Sequence, residues 1–220
     1  MAIRKKKSIL GDLRGSIDSI VLSSWNDTST VRSKPGKRKN KTTSGKVAQQ
    51  NSVFGMVSKF FKTAQPIINA GYQQRKPVKM TLYNRALSYH LQHAICGDPE
   101  DPAISLSKVK LSAPIRTTQS AWNPVLSSDG GNEVTVKWDL NPFPQRCTQL
   151  DDSVILVFYD KARKTFIRLD KPIIRSDVAW TEVMPNGYKG NELYWYMFMV
   201  SADGKLVSET TYLGMVTILN

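Results

Sequence analysis

The residue types best suited to chemistry are few in this chain, and their spacing decides what they can do. His90, His93 and Cys96 form a His-x-x-His-x-x-Cys run. Imidazole and thiolate are suitable zinc ligands, and neighbours three apart on a helix are within reach of one another. Each step of three also rotates the side chain by about 60°, so the outer two diverge by about 120°. A metal site would need ligands from elsewhere, and the chain has only these two histidines. The expected arrangement is His90 near a core edge, His93 exposed and Cys96 buried, with no metal. Asp98, Glu100 and Asp101 cluster, as do Asp151 and Asp152, but both groups fall in predicted turns, where acids are ordinarily solvated. General acid–base work needs carboxylates held at fixed separation in a shielded pocket. Gly45-Lys46 lacks the preceding glycine of a phosphate loop, and no Gly-x-Ser-x-Gly elbow occurs. No catalytic residue and no cofactor are expected, and the chain reads as non-enzymatic.

The stronger signal is positive charge. The 220 residues carry a net charge of +13, and residues 1–97 hold 18 Lys/Arg against three acids, whereas residues 98–220 hold 13 against 15. Arg4, Lys5, Lys6, Lys7, Arg14, Arg32, Lys34, Lys37, Arg38, Lys39, Lys41 and Lys46 lie in the first 47 residues. Cations at that density concentrate phosphates and release counterions on contact. The hydroxyls of Thr42, Thr43 and Ser44 can add hydrogen bonds to phosphate oxygens. No helix-turn-helix, zinc finger or RNA-binding aromatic motif accompanies them, so sequence-specific reading is not expected. The same basic region could instead dock on acidic protein. Trp25, Tyr72, Tyr83 and Tyr89 accompany it, and core packing is the expected role for them over base stacking.

These residues must be positioned by elements that the patterning predicts. Residues 1–14 form a basic arm. Ser16 to Trp25 and Thr28 to Ser33 are β-prone runs around Asn26-Asp27 and predict a hairpin. Lys34-Pro35-Gly36-Lys37 opens a charged loop that runs to Lys41. Val53, Val57, Phe60, Ala64, Ile67 and Ile68 recur at helical spacing from a cap at Thr43 or Ser44, with Phe54, Met56 and Phe61 widening the apolar face. Pro66 is expected to kink or end that helix, with Gly71 as terminator. A second helix is predicted from about Thr81 to Cys96, stopped by Gly97. Two prolines in Gly97-Asp98-Pro99-Glu100-Asp101-Pro102 and the reversal of charge place a boundary there.

Beyond that boundary come strand runs at 104–111, 133–138, 153–159, 165–169, 173–183, 193–200 and 206–219, with Trp122 in an exposed loop. The expected fold class is α+β: a basic hairpin and two-helix region over 1–97, then an antiparallel β-sandwich over 98–220. No secretory signal is legible, because Asp12, Arg14 and Asp18 interrupt the stretch after Arg4-Lys5-Lys6-Lys7. The longest strongly apolar run, Leu193 to Val200, has eight residues, against the roughly 20 that a membrane helix needs. Cys96 and Cys147 are expected as buried thiols in a reducing compartment. Localisation is expected to be cytoplasmic, or within an intracellularly assembled particle.

Two resemblances follow. Trp138 in an early strand, the Tyr194, Tyr196, Phe198, Val200 alternation and the Ala202-Asp203-Gly204 turn resemble a fibronectin type III or related immunoglobulin-like sandwich over roughly 105–220. The chain as a whole resembles an uncharacterised family of Bacteroidota proteins known as a domain of unknown function. The residues that carry this are Gly11 and Gly15, Ser23-Ser24-Trp25, Arg32-Ser33-Lys34-Pro35, Gln49-Gln50-Asn51-Ser52-Val53-Phe54, Met80-Thr81-Leu82-Tyr83-Asn84 and Val200-Ser201-Ala202-Asp203-Gly204-Lys205. The lysine loop at 37–41 is longer than that pattern. The resemblance implies the two-part layout and no activity. The expected function is a binding or structural protein whose N-terminal region contacts nucleic acid or another polyanion. The alternative is a component of a multi-subunit assembly, phage-like or other.

Overall fold

The computed structural model describes residues 14–25, 28–36, 44–73, 80–98, 100–129 and 131–218. The chain divides into two compact units, 1–45 and 46–220.

The first unit is a three-stranded antiparallel meander of β1 (Gly15–Ile17), β2 (Ile20–Trp25) and β3 (Thr28–Ser33). The expected hairpin is β2–β3, and its last pair, Trp25 with Thr28, leaves two residues for the connection. The run from Ser16 to Trp25 is not one strand. Asp18 adopts φ 45°, a left-handed conformation that a short polar side chain tolerates, and the chain reverses there from β1 into β2. Cross-strand rows give the sheet two unlike faces. Ile17 pairs with Ile20, and Leu22 with Val31, on one face; Val21 pairs with Arg32, and Ser23 with Thr30, on the other. A 2.7 Å hydrogen bond between the Ser23 and Thr30 hydroxyls fixes the second row.

The second unit begins with helices α1 (Gly45–Phe60), α2 (Gln65–Gly71) and α3 (Leu82–His93). The single helix expected across Pro66 breaks earlier, after Phe60, and passes through a 3-10 turn at Lys62–Ala64. Pro66 then falls in the first turn of α2, where no helical partner is lost for its missing N–H. Thr81 caps α3, its hydroxyl accepting from the Asn84 N–H at 3.1 Å. That helix stops at His93 and not at Gly97. Residues 95–98 instead form β4 (Ile95–Asp98), paired with β5 (Asp101–Ile104). Gly97 sits at φ 87° with the Asp101 carbonyl oxygen 2.7 Å from where a Cβ would lie, so its role is in this hairpin. The boundary expected at 97/98 therefore falls inside the second unit.

Seven strands follow: β6 (Trp122–Ser128), β7 (Glu133–Asp139), β8 (Ser153–Asp160), β9 (Thr165–Arg168), β10 (Ala179–Val183), β11 (Glu192–Val200) and β12 (Thr211–Thr217). They form two antiparallel sheets, ordered β10-β7-β6 and β12-β11-β8-β9. Four expectations change. The run predicted over 206–219 is a strand only over Thr211–Thr217. The strand predicted over 104–111 ends at Ile104 and gives way to a 3-10 turn at Leu106–Lys108. The region 173–183 is a strand only from Ala179, after a turn at Arg175–Asp177. Trp122 opens β6 and is not in a loop; Asn123 at φ 45° and Pro124 shift the register there, which disguises the strand in the sequence.

Strand β8 is buried along nearly its whole length, the signature of a strand covered on both faces. Its Val154, Leu156 and Phe158, with Trp195 and Met197 of β11, pack against Val134, Val136 and Trp138 of β7. Ile155, Val157 and Tyr159 look the other way and share a core with Phe60, Phe61, Ile68 and Leu87 of the helical layer. The four-stranded sheet thus shares one apolar cluster with the helices and another with the three-stranded sheet. At about 1.5–3 kcal/mol for each large apolar side chain buried, these two interfaces are the unit's main source of stability. This shared core is why the helices belong with the sheets and the division falls after residue 45.

Candidate polyanion-binding surface

Of the twelve cations that the sequence singles out, Arg14, Arg32, Lys34 and Lys46 lie among the described residues; Arg4, Lys5, Lys6, Lys7, Lys37, Arg38, Lys39 and Lys41 lie outside them. All four described ones are exposed, and none makes an ion pair among the described residues. In the meander, Arg32 shares its row with Val21, and Lys34 follows two residues on. The Lys34 N–H donates to the Ser19 carbonyl at 2.6 Å, which holds the chain extended past β3. Strand alternation then puts Arg32 and Lys34 on the face that carries Ser23 and Thr30. Arg14 immediately precedes β1. Lys46 stands in the first turn of α1, in the second unit. On the face of the first unit, Arg32 and Lys34 thus stand with the Ser23 and Thr30 hydroxyls and Val21, and the cations and hydroxyls are donors that match phosphate oxygens. The opposite face exposes Ile17, Ile20 and Val31 by 64, 46 and 57%.

The residues with catalytic or metal-binding potential do not converge. His90 is fully buried, not merely at a core edge. Its Nδ1 lies 2.7 Å from the Ala86 carbonyl, and its Nε2 accepts from the Lys110 N–H at 3.0 Å. Both ring nitrogens are thereby used, and burial pushes its pKa down to about 4, so the ring is neutral at pH 7. His93 is exposed as expected. Cys96, expected to be buried, is exposed, because β4 belongs to a two-stranded hairpin with an open side; Cys147 is half-buried, and both thiols are free. Among the described residues no three of His, Cys, Asp and Glu are placed to hold a metal ion.

The acids divide. Asp98, Glu100, Asp101 and Asp151 are exposed, as turns predict. Asp152 is not: it is fully buried and paired at 2.8 Å with Arg175, itself 3% exposed. The Thr118 hydroxyl donates to the same carboxylate oxygen at 2.7 Å, and Arg175 also donates to the Gln119 carbonyl at 2.6 Å. The Trp138 indole N–H donates to the Arg175 carbonyl at 2.9 Å, tying the pair to β7. The network is buried: Asp152, Arg175 and Thr118 are all at most 3% exposed. A lone arginine in a weakly apolar stretch, Ile173-Ile174-Arg175, was the sequence signal for it.

The aromatic residues near the basic half mostly pack. Tyr72 is buried, which raises its pKa, and donates to the Lys110 carbonyl at 3.0 Å; half-buried Tyr83 donates to the Ser58 carbonyl at 3.1 Å. Trp122 is 42% exposed, as expected. Phe54, expected to widen a buried face, is instead 52% exposed. No described helix is long and apolar enough to cross a membrane.

Comparison with known proteins adds one finding. No curated protein matches the chain. Residues 12–214 match the family of unknown function DUF6266. That stretch takes in most of both units, and the chain belongs to this family.

Proposed function

We propose that the chain is a non-catalytic binding protein whose N-terminal region contacts nucleic acid or another polyanion through its backbone charge, without reading sequence. The observation that carries this is the set of exposed cations Arg14, Arg32, Lys34 and Lys46, all without acidic partners among the described residues. Cations left free of protein acids are available to displace counterions from a phosphate chain. The second unit, read as a fibronectin type III-like sandwich, presents a further contact face. That reading is supported by its strand order, in which the first, second and fifth strands share one sheet and the others the second.

A second reading, a component of a multi-subunit assembly, is favoured by the apolar face of the meander, where Ile17, Ile20 and Val31 stand exposed together. Fluorescence anisotropy with a labelled duplex distinguishes the two. Changing Arg32 and Lys34 to Ser is expected to weaken binding and to lower the salt slope by about two. Unchanged binding would transfer the proposal to the apolar face and a protein partner.

A further inference from the structure

Helix α1 carries no acid and has apolar residues around much of its circumference. Val57 and Phe60 are buried, but Val47 and Phe54 are 46 and 52% exposed. A helix apolar on its outer side as well as its inner one is a helix that something covers. Two depressions of about 680 Å³ each run along its flanks, and Asn51 lines both, so it marks the crest between them. One has a floor of Met56, Phe60, Leu106 and Tyr159 and is edged by Lys59, Lys161 and Lys164. The other is lined by Leu91, Ile95 and Pro102, with Phe54 on its crest side, and is edged by Asp98, from which Glu100 and Asp101 continue the acidic hairpin.

Of the charges on these two flanks, all but that of Lys161 stand without an ion-pair partner among the described residues. Lys161 pairs with Glu192 at 2.7 Å. Lys59, Lys164, Asp98, Glu100 and Asp101 are exposed and form no ion pair among the described residues. Within one chain the crest of α1 keeps the lysine flank from the acidic flank. A two-fold axis lying in the plane of this face, set across the line from lysines to acids, exchanges the two flanks: each copy's Lys59 and Lys164 meet its partner's acids, twice, while Val47 and Phe54 pack between. We infer that the α1 face is an isologous surface occupied by a second copy of this chain. One face that carries both halves of a charge match, around an apolar strip, is the self-complementarity that a two-fold interface requires. This inference is independent of phosphate binding by the first unit.

Sedimentation equilibrium on the full chain, stripped of nucleic acid in high salt, tests it over about 1 to 200 µM. The expected result is a reversible rise to twice the chain mass. Phe54→Asp is expected to raise the dissociation constant at least about tenfold, the loss typical of a central apolar anchor. Lys59→Glu with Lys164→Glu is expected to weaken association, and adding Asp98→Lys, Glu100→Lys and Asp101→Lys to that same chain to restore it. Far-UV circular dichroism verifies that each variant keeps its fold. A chain that stays monomeric throughout, a folded Phe54→Asp variant that still associates as before, or a charge exchange that fails to restore would overturn the inference.

Discussion

Replacing Arg175 with methionine removes the guanidinium but keeps most of the side-chain volume, and the structure sets the size of the penalty. Asp152 is fully buried, and one of its carboxylate oxygens has no hydrogen-bond partner. The other accepts from Arg175 at 2.8 Å and from Thr118 at 2.7 Å. Without Arg175 the carboxylate keeps its burial and loses its counter-charge, and the Gln119 carbonyl loses a donor. Breaking one side of a buried pair costs about 3–5 kcal/mol, because an uncompensated charge stays behind. With a urea dependence of about 2 kcal/mol per molar, the unfolding midpoint is expected to fall by about 1.5–2.5 M. Tryptophan fluorescence reads the transition, since Trp138 and Trp195 lie in the core between the two sheets. Adding Asp152→Asn to Arg175→Met is expected to cost less than the sum of the two single changes by about 2 kcal/mol or more. An Arg175→Met midpoint within about 0.3 M of the parent, or strict additivity, would refute the assignment of this pair as a coupled structural unit.

Three further outcomes are expected. His90 has a folded-state pKa near 4 against 6.5 for an ordinary imidazole, so the unfolded chain takes up a proton first as pH falls. The associated stability is fully present above pH 6.5 and is lost progressively toward pH 4. The loss is about 3 kcal/mol, read by denaturant titration at several pH values, and it is expected to be absent from a His90→Gln variant. Gly71→Ala places a methyl group 2.3 Å from the Leu111 carbonyl oxygen, where backbone must move, and is expected to cost about 1–3 kcal/mol in the same assay. Thr81→Ala removes the N-terminal cap of α3 and is expected to lower stability by about 1 kcal/mol; no change in midpoint would mean that the hydroxyl contributes nothing there.

Elements whose local signal agreed with their final environment were legible in the sequence. The apolar run of β8 and the alternation in β7 predicted strands because burial on two faces or one imposes those patterns. The apolar spacing from Leu82 to Leu91 marked α3, although the cap that Thr81 supplies was not read from the sequence. What was illegible depended on contacts between distant residues. The course of the chain after Ile104 is set by packing of Val109 and Leu111 in the helical-layer core, which overrides a locally strand-like pattern. The extent of β6 was hidden by Pro124 and by the left-handed Asn123. Asp152 read as a turn acid because the Arg175 that neutralises it lies 23 residues away. The core shared by helices and sheet was hidden for the same reason: nothing local reveals that Phe60 and Phe61 pack on Phe166. Among the candidate-site residues, Arg32 and Lys34 were legible as cations, but their common face depends on the register of β2 and β3.

The most direct test of the polyanion reading is the dependence of duplex DNA affinity on salt for the intact chain. If at least half of the twelve cations contact phosphates, the logarithm of the binding constant falls with the logarithm of salt concentration at a slope of about −5 or steeper. Changing Lys37, Arg38, Lys39 and Lys41 to Ser is expected to make that slope shallower by about 3 to 4. Absence of binding at low salt, or a slope that the four changes leave unmoved, would contradict the account and place the basic region against protein instead.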